Sequence, residues 1–324
     1  MASAQTDSTD GRPAFEHRRL RSFDGTEISY QARGHGRAVV LANGLGGSYL
    51  AWRHIVAALE GYRVISWDYR GMFRSECPPR SGSLDVPCHV ADLYAILRAE
   101  RTGSAVLVGW SMGVQVDFEF YRRHPRMVAG LVCINGVAGR PFDTAFGSAL
   151  LRQGIPLVLQ VMKRGPRLTR AAVRRGTGWR ALVPMMQRLG LVAPTLDVGI
   201  FEDLAREFVN LDFRAYANLF AHLGEHDARA VLPDIAVPTL IMTGDRDMLT
   251  PVATARRLHR AIRGSRLRVI AGGTHYTPVE YPLVVAAEIL RFLDEAGWKP
   301  RSVPSDGLKQ PRKAAGRGKP LTGI

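Results

Sequence analysis

Six apolar runs recur along the chain, each bounded by Gly-rich or polar sequence: AVVLAN (Ala38 to Asn43), YRVISWD (Tyr62 to Asp68), SAVLVGW (Ser104 to Trp110), GLVCIN (Gly130 to Asn135), PTLIMTG (Pro238 to Gly244) and LRVIAG (Leu267 to Gly272). Continuous apolar runs of this kind read as strands buried on both faces. Between them, helical patterns cover Tyr49 to Glu60, Pro87 to Glu100, Met112 to His124, Pro251 to Ile262 and Glu280 to Ala296. Strands alternating with helices predict an α/β fold, a mostly parallel sheet flanked by helices on both faces and joined by right-handed crossovers. Ligands bind such sheets at the carboxyl ends of the strands, so the residues just after each run are the first candidates for chemistry. Ahead of the first run, alternating stretches at Arg18 to Phe23 and Glu27 to Ala32 flank Asp24-Gly25, a dipeptide suited to a hairpin turn.

One interval breaks the rhythm. About a hundred residues separate Asn135 from Pro238, too many for a plain loop. Their content is amphipathic and helical at Leu150 to Arg164, Arg180 to Val192 and Phe201 to Leu223. The expected organisation is therefore a polar arm (residues 1–16), an α/β core (17–139 and 229–297), an inserted helical cap (140–228) and a basic, disordered tail (298–324).

The polar start lacks the apolar run of a secretory signal, and no segment approaches the length of a spanning helix, so a soluble cytoplasmic protein is expected. Cys77, Cys88 and Cys133 have no metal-ligand spacing and read as reduced thiols. The formal charge of +15 is concentrated in two places. Ten Lys or Arg between Arg140 and Asp197 face only two acids, and seven between Lys299 and Ile324 face one. The plainest reading of the cap cations is a solvated helix face. Basic amphipathic helices and a basic tail also suit weak contact with an anionic surface or membrane, whereas no specific nucleic-acid partner is indicated.

Gly109-Trp110-Ser111-Met112-Gly113 joins a predicted strand to a predicted helix, the setting of a nucleophile elbow. A serine on so sharp a turn projects its hydroxyl above the sheet, and flanking glycines remove side chains that would strike the neighbouring strand and helix. Acyl attack also needs donors for the oxyanion. Asn43-Gly44-Leu45-Gly46-Gly47, directly after a strand, can supply them, with the main-chain N–H groups of Leu45 and Met112 as the expected pair. Asn43, Gly44 and Trp110 are candidates for the substrate pocket. Two carboxylates, Asp245 and Asp247, follow PTLIMTG, and either could orient a base. His275, in the small-residue loop Ala271 to His275 after the last strand, is the one histidine at a predicted strand end in the required chain position.

The order Ser, Asp, His and the surrounding motifs resemble the α/β-hydrolases over Arg18 to Ala296. Asp68-Tyr69-Arg70-Gly71-Met72-Phe73-Arg74-Ser75 is similar to the family's D-x-R-G-x-G-x-S stretch, with Phe73 at the second glycine, and Asp68 and Arg70 read as structural. Gly244, Asp247 and Pro251 match the family's G-x-x-D-x-x-x-P acid loop, which implies Asp247 over Asp245. His275, Glu280 and Pro282 resemble the histidine loop running into the last helix. Asn43 stands where many relatives carry His; the donor there is main chain. The resemblance implies a serine hydrolase of a small or medium apolar carboxylic ester, with catalytic Ser111, Asp247 and His275 and no metal or organic cofactor. Acyl transfer, haloperoxidase-like perhydrolysis and C–C bond hydrolysis could use the same three residues, and a non-catalytic small-molecule receptor is the remaining alternative. Oligomeric state is not legible.

Overall fold

The computed structural model describes residues 15–78, 81–143, 149–176 and 179–300. Most of the polar arm and nearly all of the basic tail expected at the two ends lie outside those residues.

Eight strands form one sheet: β1 (Glu16–Arg21), β2 (Glu27–Arg33), β3 (Ala38–Ala42), β4 (Arg63–Trp67), β5 (Ala105–Trp110), β6 (Val128–Ile134), β7 (Thr239–Gly244) and β8 (Arg266–Ile270), in the order β1-β2-β4-β3-β5-β6-β7-β8. β1 and β2 are an antiparallel hairpin closed at Asp24-Gly25, where Gly25 takes φ 84° and Asp24 Oδ1 accepts Thr26 N–H at 3.1 Å. β2 pairs antiparallel with β4, and every later pairing is parallel. The architecture is thus the mostly parallel, helix-flanked sheet of the α/β-hydrolase fold.

Parallel strands alternate their side chains between two cores. Val40 and Leu107 join one core with helices α2 (Val86–Ala99), α3 (Met112–Arg123) and α9 (Val252–Ala261). Val39, Leu41, Val106 and Val108 join the other with α1 (Arg53–Ala58) and α10 (Pro282–Glu295). β8 departs from the sequence expectation. It is a sheet edge, only Ile270 is fully buried, and Arg268 instead pairs with Glu288 at 3.3 Å.

Between β6 and β7 lie the inserted helices α4 (Ala149–Arg164), α5 (Pro166–Gly176), α6 (Trp179–Arg188), α7 (Val198–Phe208) and α8 (Phe213–Glu225). The stretch Phe201 to Leu223, read from sequence as one amphipathic segment, is two helices. The first ends at Phe208, and Asp212 caps the second, accepting from Arg214 N at 2.8 Å and Ala215 N at 3.2 Å.

The loop after β4 is a buried scaffold. Arg70 is fully buried, donates to both Asp92 oxygens at 2.8 and 2.6 Å, and reaches Asp24 and the Ser83 carbonyl at 2.9 Å. Phe73 takes φ 46°, a left-handed conformation that explains why glycine is usual at this point of the motif. Among the described residues no helix is long and apolar enough to cross a membrane.

Candidate active site

Ser111 stands between β5 and α3 at φ 55°, ψ −112°, strained for a residue with a side chain. Its surroundings leave no room for larger neighbours. A Cβ at Gly109 would fall 2.6 Å from Gly113 C and Val114 N, and one at Gly113 would fall 2.2 Å from the Ala42 carbonyl of β3. Both glycines are therefore demanded by helix and strand passing close beneath the serine. Ser111 N–H is held by the Ile134 carbonyl of β6 at 2.9 Å, which fixes the turn to the sheet.

Three chain segments converge on the serine hydroxyl. His275 Nε2 lies 2.9 Å from Ser111 Oγ, and His275 Nδ1 lies 2.9 Å from Asp247 Oδ2. Asp247 is 4% exposed and fully engaged: Oδ1 accepts Leu249 and Thr250 N–H, both at 2.8 Å, while Oδ2 also accepts from Asn135 Nδ2 at 2.6 Å and Thr250 Oγ1 at 2.5 Å. Burial opposes ionisation, yet His275 and these donors outweigh it and hold the Asp247 carboxyl below its ordinary value. Asp245 is not part of this chain of contacts. It accepts Gly272 N–H at 2.7 Å and tethers the loop after β8.

The serine opens into a cavity of about 200 Å³. Gly44, Leu45, Trp110 and Met112 line it, together with Val137, Phe142, Ile155, Tyr216, Phe220, Leu223 and Gln115. Met112 opens α3, and the N–H groups of a helix's first turn have no acceptor within the helix. Asn43 differs from the sequence expectation. Its amide donates to the Trp67 carbonyl at 2.8 Å and accepts Trp52 Nε1–H at 2.7 Å, so the 1%-exposed side chain belongs to the scaffold beneath the glycine loop and does not face the cavity.

A sequence profile of the family described as alpha/beta hydrolase fold matches residues 37–282, which contain all of these residues. The chain belongs to this family. Alpha/beta hydrolases similar to it include a non-heme haloperoxidase of Rhodococcus erythropolis, 27% identical over 281 residues that cover 85% of this chain and 98% of the relative. An esterase structure from Rhodococcus sp. ECU1013 superposes with a TM-score of 0.71 at 27% identity, covering 87% of this chain and 99% of its own. An enol-lactonase structure from Burkholderia xenovorans LB400 shares the fold, with a TM-score of 0.69 at 24% identity over 86% of this chain and all of its own.

Several residues support this alpha/beta-hydrolase site through contacts that sequence reading did not assign to them. Asn135, at φ 48° just after β6, bridges Asp247 and the Thr274 carbonyl, the latter at 3.0 Å, and accepts from Thr277 Oγ1. Glu280 pins the histidine loop by accepting Thr274 N–H at 2.8 Å, Thr274 Oγ1–H at 2.5 Å and Ala193 N–H at 2.8 Å; burial nevertheless lifts its carboxyl above the ordinary value. Trp110 Nε1 donates to the His275 carbonyl at 2.8 Å, tying the serine strand to the histidine loop. Asp117 lies under the elbow, where a Cβ on Gly109 would come 2.5 Å from its Oδ2. It is wholly buried without a hydrogen-bond partner among the described residues, and burial pushes its carboxyl well above the usual range. The only available signal for these residues was position: each is a polar residue within a few places of a strand end or motif residue.

Proposed function

We propose that this chain is a serine hydrolase of ester-like bonds, with Ser111 as nucleophile, His275 as general base and acid, and Asp247 as the orienting carboxylate. The observation that carries the reading is the unbroken contact from Ser111 Oγ through both ring nitrogens of His275 to Asp247, each link 2.9 Å. In the reaction, Ser111 Oγ attacks the acyl carbon while His275 Nε2 takes the hydroxyl proton. Asp247 stabilises the resulting imidazolium at Nδ1–H, and the main-chain N–H groups of Leu45 and Met112 receive the oxyanion. Collapse of the tetrahedral species breaks the ester C–O bond, and His275 returns the proton to the departing alkoxide. Water, deprotonated by His275, then attacks the acyl-enzyme and releases the carboxylic acid, restoring Ser111.

The aromatic and aliphatic walls of the cavity and its volume of about 200 Å³ suit a small or medium apolar acyl group. We take residues 17–139 and 229–297 as the catalytic unit and 140–228 as its cap, since Phe142, Ile155, Tyr216 and Phe220 contribute to those walls. The haloperoxidase relative favours a second reading, in which hydrogen peroxide replaces water as the acyl acceptor and a peracid leaves. Acyl transfer and C–C bond hydrolysis on the same residues differ likewise in acceptor or leaving group.

A fluorophosphonate probe tests the core of the reading. Wild type is expected to be labelled covalently and Ser111→Ala to be unlabelled; a wild-type chain that resists the probe defeats the proposal. A series of p-nitrophenyl esters, with product analysis in the presence and absence of peroxide, then separates the acceptors.

A further inference from the structure

Helix α4 is apolar on two sides. Its inner face carries Leu159, which is buried, and Ile155, which lines the cavity at Ser111. Its outer face carries Leu157, Val158 and Val161, exposed by 65, 58 and 60%. At about 100° per residue these three span an arc of only about 100°, so they form one stripe. Leu168 of α5, 78% exposed, lies close to its end: a Cβ on Gly165 would meet both the Val161 carbonyl, at 3.5 Å, and Leu168 Cδ1, at 3.7 Å. A helix covered by solvent is polar across its outer side, whereas here three large aliphatic side chains stand exposed beside Gln160 and Arg164.

Charge decides what could cover the stripe. Between Asp143 and Asp197 the chain contains nine Lys or Arg and no acid. Arg164, Arg167 and Arg175 of this stretch are exposed beside the stripe or on the helix that continues it. The chain's own C-terminal segment beyond residue 300 carries six Lys or Arg and one Asp, so it has the same sign and is repelled; a second copy of the same face is repelled equally. A partner must therefore be anionic. It must also accept four exposed aliphatic side chains, which a nucleic-acid surface, bound through polar and charged contacts, does not reward. Both demands are met together at the headgroup and acyl boundary of an anionic bilayer, where a helix lies in the plane with its aliphatic stripe immersed and its cations among the headgroups.

We propose that the outer face of α4 and α5 is a peripheral membrane-docking surface for anionic lipid. The docking stripe and Ile155, a wall of the cavity at Ser111, belong to the same helix, so an apolar ester dissolved in the bilayer would meet the cavity alongside α4, while docking itself does not depend on the chemistry at Ser111.

The full-length chain should co-sediment with vesicles of phosphatidylcholine containing phosphatidylglycerol, at least about tenfold more than with phosphatidylcholine alone, and less as salt rises. Val161→Ser with Leu168→Ser leaves the charge unchanged and should lower partition into the anionic vesicles by about tenfold or more, with no change in thermal unfolding midpoint. Leu168→Trp should show fluorescence quenching by brominated phosphatidylcholine in the same vesicles, beyond that of wild type. Equal binding by the Ser double variant would mean that charge alone or the tail attracts the lipid, and overturns the proposal. So does absence of vesicle binding by wild type, or retention on double-stranded DNA without retention on vesicles.

Discussion

Replacing Asp247 by Asn probes the site at the point where two carboxylates compete, and the contacts dictate how the amide must sit. If the new NH₂ occupies the Oδ1 position, it faces the Leu249 and Thr250 N–H groups, two main-chain donors that cannot turn away. If it occupies the Oδ2 position, it faces Thr250 Oγ1, a hydroxyl that can rotate to accept, Asn135 Nδ2, and His275 Nδ1. The second orientation leaves fewer unsatisfied donors, and it requires His275 Nδ1 to become an acceptor. The ring proton then moves to Nε2, the nitrogen 2.9 Å from Ser111 Oγ, which can no longer take the serine proton. Turnover of p-nitrophenyl acetate by Asp247→Asn should fall by about 10⁴-fold, the scale of a lost triad acid whose geometry survives. Asp245→Asn keeps an amide oxygen for Gly272 N–H and should stay within about threefold of wild type. The variant also loses stability that the ionised Asp247 supplies. Because the folded carboxyl sits below its ordinary value, that contribution is present above the unfolded pKa and disappears as pH falls through the folded one, so the two chains should converge in unfolding midpoint toward acid. Equal damage from the two Asn variants, or more than a tenth of wild-type turnover in Asp247→Asn, would refute the assignment.

Gly224→Ala should narrow the cavity. A Cβ there would meet Phe142 Cε2 at 2.0 Å, and displacing that ring into the space it lines should shift preference toward shorter acyl esters; an unchanged chain-length profile counts against Phe142 as a wall. Arg70→Met leaves Asp92 buried without its cation and should cost about 3–5 kcal/mol in urea unfolding, while a loss below about 1 kcal/mol would show that the pair is dispensable. Burial lifts the Asp68 carboxyl to about 7 despite the Arg74 guanidinium 3.9 Å away. The folded chain therefore holds a proton that the unfolded chain releases near pH 4, so this residue lowers stability progressively as pH rises from about 4 to about 7. Asp68→Asn should consequently gain in melting temperature over wild type at pH 8 relative to pH 4.5, and a pH-independent difference would contradict the burial argument.

What could be read from the sequence follows from what leaves a local trace. β3, β5 and β7 lie inside a parallel sheet, so every residue is apolar or small and the runs announce themselves. β8 is equally parallel but has a neighbour on one side only, and its apolar letters conceal an exposed edge at which Arg268 meets Glu288. The division of Phe201 to Leu223 is a short break between Phe208 and Phe213, marked in sequence by little more than the cap residue Asp212. At the site, the elbow was legible because its glycines are required by contacts within a few ångströms of Ser111, and the requirement repeats wherever that turn is built. Asn43 was misread for the opposite reason. Its main chain is part of the glycine loop, and only the three-dimensional approach of Trp52 and Trp67 turns its side chain away from the cavity.

The supporting shell has no local trace at all. Asn135 lies 112 positions from Asp247, and Ala193 lies 87 from Glu280; nothing in either neighbourhood records the partner. These bonds nonetheless determine whether a Ser, an Asp and a His in the right order become a connected set, because Asn135 holds Asp247 and the histidine loop together and Glu280 closes that loop from below. Motif order therefore identifies which residues meet, while buried amide and carboxylate contacts between distant segments determine how closely. The cavity belongs wholly to the second kind: Phe142, Ile155, Tyr216 and Phe220 come from three inserted segments whose packing, and not their spacing, builds its walls.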